Sequence, residues 1–249
     1  MLIKSCLNGG TTRAEHPRVP LTPEELAADT REVVEAGARA VHMHPLDRAG
    51  TETLEAGAVA AALAAVRGAC PGVPVGVSTG IWMTGGDAER RLAAIGRWEC
   101  EGRPDFASVN LSEPGAEPLA RELFAADIGV EAGVWTEEDA ERLVASDLAG
   151  DLIRVLVEPQ DGDAETAVAR ASAVDRVLDA SESSVPRLHH GYGAATWAVL
   201  RAAVARGRDI RIGLEDTTVL ADGRVASGNR ELVDTAVALV AQVGAQRSG

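Results

Sequence analysis

Short apolar or β-branched runs recur eight times along the chain, and each gives way to a stretch with helical spacing. The runs fall at residues 3–7, 38–44, 73–78, 106–111, 128–134, 152–157, 186–190 and 210–214. Their lengths suit buried strands, and apolar spacing between them predicts helices at 22–36, 54–67, 87–97, 118–125, 136–145, 164–178, 194–206 and 229–243. Start signals support several of these. Thr22-Pro23-Glu24-Glu25 combines a capping hydroxyl, a proline in the first turn and a glutamate three residues after the cap. Thr136-Glu137-Glu138-Asp139 places negative charge where a helix dipole favours it. Gly37 and Gly207 stand where helices should stop.

Strict alternation of strand and helix implies parallel strands joined by right-handed crossovers. Eight such units in 249 residues predict a closed α/β barrel, a (β/α)8 TIM barrel forming one domain over residues 1–249. An open doubly wound sheet would want a dinucleotide loop after its first strand. The segment Asn8-Gly9-Gly10-Thr11-Thr12 is glycine-rich but lacks the G-x-G-x-x-G spacing.

Composition narrows the function more than the fold. Aromatics are only 3% of residues, so Ala, Val and Leu must fill the core. A net charge of −14 with no Lys/Arg run excludes a basic nucleic-acid face. Cys6, Cys70 and Cys100 are too scattered for a metal set and read as reduced thiols of a cytoplasmic protein. The first ten residues do not resemble a signal peptide, and the apolar stretch 58–66 is too short to span a bilayer.

A barrel of this type carries its site at the C-terminal ends of the strands. Reactive residues gather there: Asn8, His42-Met43-His44, Ser78-Thr79-Gly80, Ser108 with Asn110, Glu131, His189-His190 and Glu215-Asp216. His42 and His44 are the sharpest pair. Residues i and i+2 of a strand share a face, so both imidazoles aim at one point. Strand eight closes beside strand one, which brings Glu215 near them. Two histidines and a carboxylate form a common divalent-metal set with open positions. The alternative is two core histidines satisfied by the backbone.

Arg211 shares the parity of Glu215 and needs a buried carboxylate partner, for which Asp216 is placed. An Arg-oriented Asp beside a metal-bound carbonyl suits removal of an acidified α-proton; a structural ion pair is the alternative. Ser78, Thr79, Gly80, Ser108 and Asn110 offer donors for a substrate carboxylate, and Glu131 is placed to orient a ligand. At most one of His189 and His190 points into the barrel. His16, in a proline-flanked loop, is expected to be solvated.

Together these stretches resemble the β-keto acid cleavage enzyme family. They are Asn8 to Pro17 running into Pro20-Leu21-Thr22-Pro23-Glu24-Glu25, Ala36-Gly37-Ala38 leading to His42-Met43-His44, Arg211 to Asp216, and Asn229 to Val233. The resemblance implies a zinc-dependent, reversible Claisen-type exchange in which a β-keto acid and acetyl-CoA give acetoacetate and a new acyl-CoA. It implies zinc on His42, His44 and Glu215, proton removal by Asp216 oriented by Arg211, a substrate carboxylate gripped by Ser78 to Gly80 and Ser108, and a homo-oligomer. Other divalent metals suit the same ligands. Arg13 and Arg224 are candidates for CoA phosphate contacts.

Two departures from the family pattern stand out. The member acting on an aminated keto acid carries Glu at the position of Gly10, so the expected substrate lacks that amine. Many members carry Arg-Asp after His-x-His and one further residue, where this chain has Pro45-Leu46-Asp47. The chain is also somewhat short for the family, implying trimmed loops or a shorter C-terminus. Two other classes compete: a metal-dependent barrel lyase or aldolase without CoA, and a catalytically inactive metabolite-binding barrel, motivated by Leu46. A metal hydrolase with His-x-His would carry that pair on strand one.

Overall fold

A computed structural model describes residues 1–98, 102–181 and 183–247, so Cys100 lies outside the described residues. Eight parallel strands close in sequence order into a barrel: β1 (Ile3–Cys6), β2 (Ala40–Met43), β3 (Val75–Ser78), β4 (Phe106–Asn110), β5 (Gly129–Val134), β6 (Arg154–Val157), β7 (Arg187–His189) and β8 (Asp209–Ile212). Among the described residues, eight α-helices surround them: α1 (Pro23–Ala36), α2 (Ala56–Ala69), α3 (Ala88–Ile95), α4 (Ala116–Ala125), α5 (Glu137–Ala145), α6 (Ala164–Ala180), α7 (Thr196–Ala205) and α8 (Asn229–Arg247). The predicted TIM barrel is therefore the observed fold.

The helix starts form for the reasons the sequence suggests. Thr22 and Thr136 each accept from the backbone N–H three residues on, and Glu25 and Asp139 return the bond as capping boxes. Outward-facing Val, Leu and Ala side chains of the strands pack under the helices in one large core, with a small separate cluster of Ala167, Ala195 and Val199. No helix among the described residues is long and apolar enough to cross a membrane. Cys6 and Cys70 are buried and not in disulfides.

The barrel interior is plugged below the mouth by charge and one aromatic ring. Lys4 and Arg154 both donate to Glu131, the latter at 2.6 Å. The two cations also stand 5.5 and 5.6 Å from the centroid of the Phe106 ring. Gly76 makes room for that ring, since a Cβ there would lie 1.9 Å from Phe106 Cε2.

One expectation is corrected by the fold. His16 is 2% exposed rather than solvated. Its Nδ1 accepts from the Arg18 N–H at 3.2 Å, so Nε2 is the protonated nitrogen and donates to the Ala226 carbonyl at 2.8 Å. The loop after β1 returns over the end of the loop before α8, which encloses the ring; flanking prolines could not reveal that path.

Candidate active site

The ends of β1, β2 and β8 are fastened to one another by two asparagines. The Asn8 amide donates to the His44 carbonyl at 2.8 Å and accepts from its N–H at 2.9 Å. Asn229, the first residue of α8, accepts from Leu214 N at 2.7 Å and donates to the Leu7 carbonyl at 2.7 Å and to Asp29 Oδ2 at 2.6 Å. Leu7 and Leu214 thereby hold Asn8 and Glu215 in register. Gly9 is required here: its φ is +52°, and a Cβ would sit 2.3 Å from Glu215 Cγ.

His42, His44 and Glu215 converge as the strand parity predicts, each offering a ligand atom within 4.8 Å of the others. His42 Nε2 stands 3.9 Å from Glu215 Oε2, and His44 Nε2 stands 3.4 Å from Oε1. These three side chains fit a divalent ion. His44 Nε2 and Glu215 Oε2 are buried without a hydrogen-bond partner, as is His42 Nδ1, although buried polar atoms are normally paired. Two imidazoles and a carboxylate are a donor set suited to zinc, with positions left for substrate.

The electrostatics of the pair are asymmetric. Burial pushes the His42 pKa well below its usual value. Burial opposes charge on His44 too, but the carboxylates of Glu215 and Glu52 outweigh it and raise its pKa to about 9. For Glu215, burial is overcome by Arg211 and the two histidines, which hold its carboxyl well below the usual range.

A cavity of about 270 Å³ opens beside this cluster. Of the residues singled out in the sequence, His42, His44, Ser78, Ser108, Asn110, Arg211 and Glu215 line it. Thr79 and Gly80 shape its wall from behind. The Thr79 hydroxyl donates to the Ser108 carbonyl at 2.5 Å, and Trp82 lies so close over Gly80 that a Cβ would meet its ring at 2.1 Å. Glu131, expected to orient a ligand, lies in the barrel floor with both oxygens occupied by Lys4 and Arg154.

Arg211 holds Asp216 as predicted, with Nε 3.1 Å and Nη2 2.7 Å from Oδ1, and it also bonds Glu215. The Asp216 side chain is 0% exposed, behind the wall that Arg211 presents to the cavity. Beside the same oxygen stands His190, whose Nδ1 is 3.4 Å from Asp216 Oδ1 and whose Nε2 is 2.8 Å from Glu158 Oε2. Burial and Arg211 disfavour charge on that ring, but Asp216 and Glu158 hold its pKa above the usual histidine value. His189 points the other way, 3.5 Å from Asp175 of α6.

Several cavity residues escaped the sequence reading: Trp82, Trp135, Glu158, Gln160 and Tyr192. Glu158 directly follows Val157, so applying the strand-end rule to β6 would have found it. Trp135 donates to its Oε1 at 2.6 Å. Glu113 and Arg91 brace the wall from outside: Glu113 accepts from Arg91, from Ile81 N at 3.0 Å and from the Asn110 amide at 2.8 Å. A carboxylate accepts only, so Asn110 must turn its amide oxygen away from Glu113. Arg13 and Arg224 are engaged at the surface with Glu25 and with Asp222 and Glu231.

Known proteins resemble this chain in sequence and in fold. The 3-keto-5-aminohexanoate cleavage enzyme of Fusobacterium nucleatum subsp. nucleatum is 26% identical over 259 residues, covering 98% of this chain and 92% of that protein. The protein of the same description from Acetoanaerobium sticklandii is 23% identical, covering 98% and 93%. A solved structure of ObcA in ternary complex with C4-CoA adduct and oxalate superposes with a TM-score of 0.76 at 18% identity. It covers 93% of this chain, which spans only 65% of the ObcA chain, so that likeness speaks for the fold alone. The sequence profile of the beta-keto acid cleavage enzyme family matches residues 1–146 and 158–247. With nearly its whole length matched and His42, His44, Arg211, Glu215 and Asp216 gathered at one barrel mouth, the chain belongs to the beta-keto acid cleavage enzyme family.

Proposed function

We propose that this protein is a zinc-dependent enzyme that exchanges acyl groups between a β-keto acid and acetyl-CoA, yielding acetoacetate and a new acyl-CoA. The observation that carries the reading is the juxtaposition of His42, His44 and Glu215 with the Arg211–Asp216 pair around one cavity. His42, His44 and Glu215 would hold the ion, which when bound would supply Lewis-acid polarisation of the keto acid's oxygens.

The chain's own groups account for the remaining needs of that reaction. The Ser78 and Ser108 hydroxyls face the cavity and are placed to meet the substrate carboxylate. The α-proton leaves at the wall formed by Arg211, Asp216, His190 and Glu158. Asp216 is the base on this reading, with Arg211 bonding its Oδ1 and the His190 ring close to the same oxygen. The same network reaches the cavity a second time at Glu158. The proton taken from the keto acid is returned to the departing acetoacetate, so the exchange is proton-neutral. Trp135, bonded to Glu158, and Tyr192, edge-on to the His190 ring, cover this wall with apolar surface, and Trp82 adds a third ring to the cavity in a chain with few aromatics.

Gly10 bears on the substrate. It offers no charge, and the nearest carboxylate to it, Glu52, is engaged by His44 and Trp82. The substrate of this reading therefore lacks the amine of 3-keto-5-aminohexanoate. The protein also works as a homo-oligomer in the cytoplasm on this reading, which light scattering and cell fractionation check.

The test has two parts. Elemental analysis of native protein and a His42→Ala variant, both free of affinity-tag histidines, is expected to find about one zinc per chain, lost in the variant. The loaded protein, given acetyl-CoA and a panel of β-keto acids, is expected to form acetoacetate, with amine-free acids preferred. Cleavage without acetyl-CoA would point to a lyase instead, and absence of bound metal would make both histidines structural.

A further inference from the structure

Glu52 belongs to no strand end and to no ligand set, yet its carboxylate bonds the His44 ring directly. It sits on the segment after β2, which turns back on itself. Asp47 accepts from Ala49 N at 2.8 Å and from Thr51 N at 2.9 Å, Asp47 N donates to the Thr51 carbonyl at 2.8 Å, and Leu46 and Glu52 form an antiparallel bridge. Thr53 N closes the turn on the Pro45 carbonyl at 3.0 Å. The effect is to return Glu52 to the side of His44, eight residues after it in sequence.

Both oxygens of Glu52 are then used. Oε1 is hydrogen-bonded to His44 Nδ1, and Oε2 accepts from the Trp82 indole N–H at 2.9 Å. The indole and the His44 ring lie nearly parallel, with centroids 6.2 Å apart and planes 25° apart. Trp82 is 50% exposed, and besides its packing over Gly80 these contacts hold its ring at the cavity wall. Gly10 lies alongside this arrangement: a Cβ there would stand 3.9 Å from Glu52 Oε2, an ordinary contact.

We propose that Glu52 is a positioning residue for the metal centre, fixing the ring of His44 through Nδ1 and tying Trp82 to it. The inference rests on the metal reading above. An ionised carboxylate accepts only, so the proton of His44 is held on Nδ1, and the buried, unpartnered Nε2 is left facing Glu215 as the ligand atom. A histidine ligand whose other nitrogen donates to a carboxylate is oriented and made more basic, and loss of such a partner lowers metal affinity about 10- to 100-fold. One side chain thus joins the metal ligand to an aromatic ring of the substrate cavity, so that ion and wall are set by the same carboxylate.

The test measures zinc affinity by chelator competition on native protein, Glu52→Ala, Glu52→Gln and Trp82→Phe, with absorption spectra of the cobalt-substituted forms. Glu52→Ala is expected to bind zinc about 10- to 100-fold more weakly and to shift the cobalt bands. Glu52→Gln keeps the volume but offers one oxygen to two donors, so it should fall between Ala and native; it carries the test if Glu52→Ala does not fold. Trp82→Phe should stay within about threefold of native, because it leaves the Nδ1 bond in place. Native affinity and an unchanged cobalt spectrum in both Glu52 variants would overturn the proposal while leaving the metal reading standing. Failure of the native protein itself to take up zinc or cobalt would overturn both.

Discussion

Arg211 grips Asp216 from five residues earlier on the same strand and loop, through Nε at 3.1 Å and Nη2 at 2.7 Å from one carboxylate oxygen, with the acid wholly buried. A guanidinium can make both contacts from one plane, and an ammonium cannot. Asp216→Asn is expected to lower kcat by about 10²- to 10⁴-fold while leaving zinc content at the native level. Arg211→Lys should also lose activity, because a point charge keeps the attraction but not the orientation. Steady-state kinetics alongside elemental analysis check both, and an Asp216→Asn enzyme of native kcat would remove Asp216 as the base.

His190 stands between two carboxylates, and only one of them, Glu158, lines the cavity. Glu158→Gln and His190→Asn separate the roles along this chain of contacts. If Asp216 exchanges the proton with substrate, Glu158→Gln should reduce kcat by no more than about tenfold, well short of the effect at Asp216. A Glu158→Gln enzyme as impaired as Asp216→Asn would place the exchange at the cavity-lining acid instead. Parallel kcat and KM measurements on the variants decide between these.

The charge cluster in the barrel floor makes a stability prediction. Lys4 and Glu131 are fully buried, and Arg154 is the second partner of Glu131. Lys4→Met fills similar space but leaves Glu131 with one cation. Breaking a buried pair from one side costs about 3 kcal/mol or more, which in a domain of this size lowers Tm by roughly 6–12 °C. Calorimetry of the variant measures this directly, and an unchanged Tm would show that Arg154 alone satisfies the acid.

Asp29, beneath the Asn229 clamp, supplies a pH dependence. Burial, reinforced by Glu32 against the opposing Asn229 hydrogen bond and Arg18, raises its pKa from 3.8 to about 7. Below the unfolded value the carboxyl is neutral in both states and contributes no penalty. Between about pH 4 and pH 7 the unfolded chain ionises first, so stability falls as pH rises through that window and levels off above it. Asp29→Asn can still accept from the Asn229 amide and does not ionise. Denaturant melts from pH 4 to pH 8 should show the fall in native protein, on the order of a few kcal/mol, and its loss in the variant. A fall of equal size in Asp29→Asn would assign it to other groups.

The sequence by itself determined the number and order of the elements, the closed barrel, and the facing of His42, His44, Arg211 and Glu215. These follow from local rules: apolar spacing marks each element, and a strand's period of two sends residues i and i+2 to one side whatever the rest of the chain does. Tertiary structure decided which groups meet. Glu131 and Glu158 both face the barrel interior, yet Glu131 pairs in register with Arg154 at the start of β6 and falls in the floor, whereas Glu158 follows that strand's last residue and reaches the cavity. The level of a residue along the barrel axis depends on stagger between neighbouring strands, which no single strand encodes. His16 and Glu52 were illegible for a related reason. Each is placed by the path of a loop, and a loop's path is set by the hydrogen bonds it closes, through Ala226 for one and Pro45 to Thr53 for the other, rather than by a periodic pattern along the chain.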